Sequence, residues 1–188
     1  MKTYPYLKVI AVACVGALAS CATTPATNRM PVSASLHPDT SLAGRIHTEV
    51  NSYRRSCGAS ELQRHAGLDR LAQEHCEYLR QHKGKFQIYG KNVSHFGFEG
   101  RALIARERFQ MMSVSENVAS AENPGGNPAP TLVNLWVNSK DHEYNMRSNW
   151  THTGIGVVKD SDGTVFATQL FSTVSYSQLA TRDRFSRF

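Results

Sequence analysis

The chain has 188 residues, with 21 Lys and Arg against 15 Asp and Glu, 40% hydrophobic residues and four Cys. That length fits one domain with accessory segments and excludes two ordinary domains, and 19% charged with 9% aromatic residues excludes global disorder. The formal net charge of +6 comes from scattered rather than blocked lysines and arginines, so no nucleic-acid partner is expected, although an anionic surface would be favoured.

At the N-terminus, Lys2 and Lys8 precede an apolar run from Val9 to Leu18. The run is too short to span a bilayer, which needs roughly 20 apolar residues, and suits the hydrophobic region of a signal peptide. It ends in Leu18-Ala19-Ser20-Cys21, which resembles the lipobox of bacterial lipoproteins. The resemblance implies removal of residues 1–20 and attachment of diacylglycerol to the Cys21 thiol. The alternative is ordinary secretion, with Cys21 left as a disulfide partner. Ala22, not Asp, follows the cysteine, and by resemblance to Gram-negative sorting this favours the outer membrane. The expected location is the cell envelope, lipid-anchored, on the periplasmic or surface face of the outer membrane in a Gram-negative cell.

Cleavage before Cys21 leaves 168 residues with a charge of about +4. Cys57 and Cys76 are then the remaining cysteines, and an oxidising envelope makes them a natural pair. Closing a loop of about 20 residues would contribute roughly 3 kcal/mol in the chain-entropy account. The alternative is two buried free thiols.

Along the mature chain, residues 21–40 read as a lipidated cysteine followed by an extended tether with Pro25, Pro31 and Pro38. A folded domain is expected over 41–175, and residues 176–188 form a C-terminal tail carrying Arg182, Arg184 and Arg187 with Phe185 and Phe188. Leu42, Ile46, Val50 and Tyr53 recur at helical spacing, ending near Cys57-Gly58. Leu68, Leu71, Ala72, His75, Cys76 and Leu79 form a second helical stripe, with Cys76 on its buried side. Gly84 to Val93 reads as a loop. A third helix is expected from Glu99 to about Met111, with Leu103, Ile104 and Phe109 on its apolar face and Arg101, Arg106 and Arg108 opposite.

Asn123-Pro124-Gly125-Gly126-Asn127-Pro128 breaks the chain. Pro130 then opens a fourth helix in which Leu132, Leu135, Trp136 and Ser139 share a face. Ile155–Val158, the turn Asp160-Ser161-Asp162-Gly163 and Thr164–Phe171 read as a hairpin. Helices first and a hairpin last, without βαβ alternation, predict an α+β fold.

His95, Glu116, His142 and His152 are the residues to weigh for chemistry. His95 sits among aromatics in Ser94-His95-Phe96-Gly97-Phe98. Glu116 is a carboxylate in the β-like run Val114-Ser115-Glu116-Asn117-Val118-Ala119, where an unpaired charge is costly and an imidazole is the obvious partner. Spacing alone does not join these residues. The run Glu74-His75-Cys76-Glu77 is no metal cluster, because consecutive helical residues point in different directions.

Several ordered motifs carry a resemblance. They are Val50-Asn51-Ser52-Tyr53-Arg54, Gly67-Leu68 with Leu71-Ala72-Gln73-Glu74-His75, the His95 loop and Ser115-Glu116-Asn117. Trp136-Val137-Asn138-Ser139-Lys140-Asp141-His142 and Gly154-Ile155-Gly156-Val157 complete the series. Together they resemble the CAP superfamily of cysteine-rich secretory, antigen 5 and pathogenesis-related proteins, in its bacterial branch. The resemblance runs from about Leu42 to Phe171. It implies a three-layer α-β-α sandwich with a central antiparallel sheet, and a cleft whose two His and two Glu bind a divalent metal in some members.

On that resemblance, His95 matches the first His and Glu116 the Glu of a Gly-Glu-Asn motif, whose glycine is here Ser115. Ser139 stands where the second Glu would be, and His142 matches the bacterial Ser-x-x-His motif. His152 is a further cleft candidate. His95, Glu116 and His142 would offer Zn²⁺ two imidazoles and a carboxylate, or else would be polar cleft groups without metal. Three functional readings follow. The first is binding of a lipid, a sterol-like molecule or a cell-wall component in the cleft. The second is a hydrolase of peptides or cell-wall material, with Glu116 as catalytic base beside His95 and His142. The third is an interaction module with no cleft ligand, since the fold alone decides none of these.

Overall fold

The computed structural model describes residues 41–85 and 94–174. The signal segment, Cys21, the tether and the C-terminal tail lie outside the described residues, as does most of the loop expected over 84–93. The elements in chain order are α1 (Leu42–Ser56), β1 (Gln63–Arg64), α2 (Ala66–Gln81), α3 (Phe98–Phe109) and β2 (Met111–Ala121). They continue with α4 (Pro128–Val137), α5 (Lys140–Arg147), β3 (His152–Lys159) and β4 (Val165–Val174).

The strands form one sheet in the order β1-β3-β4-β2. Alternation along β4 defines its two faces. Val165, Ala167 and Phe171 pack with Ile46 and Val50 of α1, Leu132 and Trp136 of α4 and Met146 of α5. Leu170 packs instead with Leu68, Leu71 and Ala72 of α2 and Ala105 of α3, and Phe166 packs with Leu79. Successive side chains of a strand point to opposite faces, so the helices divide into two layers around the sheet, as expected. The sheet is mixed, however. β3 and β2 both pair antiparallel with β4, whereas the two-residue β1 runs parallel to β3.

α2 lies directly on the backbone of β3. A Cβ at Gly154 would fall 2.1 Å from the Leu68 carbonyl carbon, and one at Gly156 would fall 2.2 Å from that of Ala72, so glycine at both positions permits the contact. The same approach completes the hydrogen bonding of β3. Thr153 O accepts from His65 N beside β1; further along, the Ile155 N–H donates to Asp69 Oδ1 at 2.8 Å and the Val157 N–H to Gln73 Oε1 at 2.9 Å. Side chains one helical turn apart thus take over where β1 ends. On the opposite layer, buried Arg54 donates from Nε to Ser60 O at 2.7 Å and from Nη1 to Ser148 O at 2.9 Å and to Met146 O, tying the end of α1 to the end of α5.

Three expectations change. The apolar face predicted for α3 is right only at Phe109, which packs against the α2 cluster: Leu103 and Ile104 are exposed, while Ala102 and Ala105 are fully buried. Small side chains bring this helix close to its neighbours, and Arg101 turns inward beside them. The fourth helix is two helices: α4 begins at Pro128 and ends at Val137, and Ser139 is the N-cap of α5.

The expected disulfide is absent, for Cys57 and Cys76 are both free. Cys57 is exposed just past α1, on one layer. Cys76 lies on the sheet-facing side of α2, on the other layer, where its S–H donates to Gly156 O at 3.2 Å and its sulfur lies 3.3 Å from Thr168 Oγ1. Burial pushes the Cys76 thiol up to about 12, which leaves it unreactive.

Two outcomes are expected. Gly156→Ala forces α2 off β3 and lowers stability by about 3 kcal/mol or more in urea unfolding, at or beyond the upper range of overpacking; Gly126→Ala, where a Cβ meets open space, serves as the unchanged control. In native protein, an alkylating reagent followed by peptide mass mapping marks Cys57 quickly and Cys76 only after denaturation. A Cys57–Cys76 cross-linked peptide in oxidised protein would contradict the arrangement.

Candidate functional site

Alternation along β2 sends the Glu116 side chain toward α2 and α3 and the Asn117 side chain toward α5. Glu116 is buried, its side chain 2% exposed. Its carboxylate is met by the fork of Arg101: Nε donates to Oε2 at 2.7 Å and Nη2 to Oε1 at 2.8 Å. His95 Nδ1 lies 2.9 Å from Oε1, and since the carboxylate oxygen accepts, the Nδ1–H donates. Arg101 also donates from Nη1 to Phe96 O at 2.9 Å, which secures the loop carrying His95. The predicted imidazole–carboxylate pair is present, with a guanidinium beside it.

His75, on the sheet-facing side of α2, is a fourth member. Its Nε2 lies 2.7 Å from Ser94 O and 4.0 Å from Glu116 Oε1. Burial holds its pKa below the usual histidine range, with Glu116 opposing that shift and Arg101 adding to it. The imidazole stacks near Tyr78, at 6.1 Å between ring centroids, and Tyr78 stacks on Phe96 at 5.4 Å. Leu71, Glu74, His75, Tyr78, Phe96, Gly97 and Arg101 line a cavity of about 230 Å³.

On the other side of β2, Asn117 Nδ2 donates to His142 O at 3.0 Å, and Asn145 Nδ2 donates to Asn117 Oδ1 at 2.9 Å. These bonds dock α5 on the strand and place the His142 ring 6.2 Å from the His95 ring. His95, Glu116 and His142 therefore share one neighbourhood. Ser139 holds the N-cap position of α5 without a side-chain capping bond; its backbone N–H donates to Trp136 O and its carbonyl accepts from Glu143 N. His152 is not part of the cleft: it opens β3 opposite Gln63 of β1, β4 separates that strand from β2, and its ring lies 6.2 Å from that of His65.

Of the two readings of these residues, the donor set does not fit Zn²⁺. Zinc needs deprotonated ligands converging on one point, but both Glu116 oxygens accept from a guanidinium that already supplies the positive charge. Among the described residues, no group of three or more His, Cys, Asp or Glu is arranged to hold a metal ion.

Sequence reasoning missed Arg101, assigned to the solvent side of α3, and His75, read as part of a core stripe. The signal for Arg101 was the pair Ala102 and Ala105, small residues that mark the packed side of α3. Removing Arg101 leaves Glu116 as an under-compensated buried charge. Arg101→Ala is expected to destabilise the domain by about 3–5 kcal/mol in denaturant titration, and Arg101→Lys, which cannot fork, by an intermediate amount. A neutral Arg101→Ala would mean that the fork carries no weight in the fold.

No curated protein matches the chain significantly. Among solved structures, it is similar to an outer surface protein of Borrelia burgdorferi, with a TM-score of 0.55 and 20% identity over 69% of this chain and 90% of that one. It is similar to an extracellular protein containing an SCP domain from Bacillus anthracis, with a TM-score of 0.54 and 19% identity over 70% of this chain and 40% of that one. It is also similar to a cysteine-rich secretory protein of Staphylococcus aureus, with a TM-score of 0.52 and 18% identity over 77% and 41%. The chain thus spans about two-fifths of the length of the latter two, and at these identities the likeness is one of fold. The family model for CAP, the cysteine-rich secretory protein family, matches residues 47–174, from α1 to the last residue of β4, and the chain belongs to that family.

Proposed function

We propose that this chain is a lipid-anchored envelope protein whose CAP domain binds a ligand in the cleft around His95, Glu116 and His142 without hydrolysing it. The observation that supports binding over hydrolysis is the state of Glu116. A catalytic base must present a lone pair to the substrate's proton within hydrogen-bond reach. Glu116 instead has a side chain 2% exposed, and both its oxygens already accept, from Arg101 and His95. It serves as an anchor that holds the His95 loop and α3 in place.

The size of the adjoining cavity narrows the ligand. At about 230 Å³ it falls below the roughly 300–1,000 Å³ usual for small-molecule pockets. It suits one ring or side-chain-sized group of a larger envelope component better than a whole sterol. Membrane attachment rests on the lipobox-like Cys21 and the tether that follows; among the described residues no helix is long and apolar enough to cross a bilayer.

The full-length protein incubated with isolated envelope polymers is expected to be retained by them while releasing no soluble fragments. Phe96→Ala, which alters an exposed ring on the cavity wall, is expected to weaken that retention without loss of stability. Release of fragments by the wild type that stops in Glu116→Gln would overturn the binding reading in favour of hydrolysis.

A further inference from the structure

His75 is the most telling polar group in the cavity. Its side chain is 1% exposed, and Nδ1 is buried without a hydrogen-bond partner. The tautomer follows from the other nitrogen: Ser94 O, 2.7 Å away, is a carbonyl and only accepts, so Nε2 carries the proton. A pKa lowered mainly by burial keeps the ring neutral near pH 7, so Nδ1 is a bare acceptor. Leaving such a group unpaired costs about 1–3 kcal/mol, and that penalty is relieved by a donor arriving from the cavity it lines.

The other walls constrain what that donor belongs to. A cation would meet the Arg101 guanidinium, and an anion would meet the Nδ1 lone pair and the Glu74 carboxylate. A neutral O–H or N–H avoids both conflicts. Phe96 is 63% exposed and backed by Tyr78, so its ring offers an apolar surface at the mouth. Arg101 uses three of its five N–H groups on Glu116 and Phe96 O, and the rest can donate to ligand oxygens. Nδ1 itself is almost wholly covered, so a hydroxyl reaching it has to spread the surrounding side chains.

We infer that this cavity is a subsite for a single neutral, hydroxylated ring, a sugar residue, which donates a hydrogen bond to His75 Nδ1 and rests its apolar face on Phe96. The inference deepens the binding reading above and rests on it. It names the chemical class of the bound group and adds His75 and Phe96 as the residues that recognise it.

The test titrates the full-length protein with N-acetylglucosamine, using tetramethylammonium as a cation that lacks a donor. Nitrogen-15 NMR follows the His75 ring. The sugar is expected to bind saturably, to move the non-protonated Nδ1 resonance upfield as it accepts a hydrogen bond and to shift Phe96 and Tyr78. Tetramethylammonium should do none of these. His75→Phe and Phe96→Ala should each weaken sugar binding by about tenfold, the scale of one lost hydrogen bond or contact.

The ring measurement on the wild type decides the matter even if His75→Phe fails to fold. Sugar binding that leaves Nδ1 and Phe96 unmoved, or equal binding of the ammonium probe, overturns the subsite. Retention on envelope polymers with no sugar binding overturns the sugar class while the binding reading stands. Sugar binding together with fragment release does the reverse.

Discussion

The seating of α2 on β3 is the contact on which the other arrangements depend. β1 is only two residues long, so the flank of β3 beyond it would be left with unpaired N–H groups, a cost that buried backbone rarely bears. Asp69 and Gln73 close that flank from the helix, and Gly154 and Gly156 remove the side chains that would otherwise hold the helix away. Asp69 is in turn held by Arg64 Nε at 2.7 Å, so the end of β1, the start of α2 and the middle of β3 are locked together. Once this face of α2 is fixed, the residues of its next turn have no freedom. His75 and Cys76 arrive buried on the sheet side, Cys76 against Gly156 and Thr168 and His75 against Ser94.

The second constraint is the charge placed inside this layer. Glu116 points from β2 into the space between α2 and α3, where a carboxylate without compensation is untenable. The Arg101 fork resolves it with the geometry a guanidinium supplies and an ammonium does not. Its consequence reaches the whole of α3: with Arg101 turned inward and Ala102 and Ala105 packed, the larger Leu103 and Ile104 are left outside. A charged interaction thus overrides the hydrophobic pattern of a helix.

Much of the architecture was legible because it rests on periodicity and turn chemistry. The stripes of α1 and α2 and the Asp160–Gly163 hairpin follow from local spacing, and the need of Glu116 for an imidazole follows from the cost of burying charge. What could not be read depends on pairing across the chain. Nothing local shows that Arg101 faces a carboxylate 15 residues away, or that α1 and α2 lie on opposite faces and keep Cys57 from Cys76. His152 misled for the same reason: strand order, not sequence order, puts β4 between it and Glu116. The division between α4 and α5 was obscured because Ser139 extends the stripe of Leu132 and Trp136 although the chain has already left the helix.

The position of β2 explains why a site forms here. β2 is the last strand in the sheet order, and an edge strand exposes polar backbone that must be shielded. α5 supplies part of that shield: Asn145 Nδ2 reaches Glu116 O at 3.4 Å and Asn117 Oδ1 at 2.9 Å, while Asn117 returns a bond to His142 O. From the opposite layer, the His95 loop and Arg101 close over the Glu116 side chain. Both layers therefore converge on the same two residues, one through the Glu116 carboxylate and the other through Asn117. This convergence brings His95 and His142 side by side, and the polar groups that hold the edge closed also form the rim of the cleft.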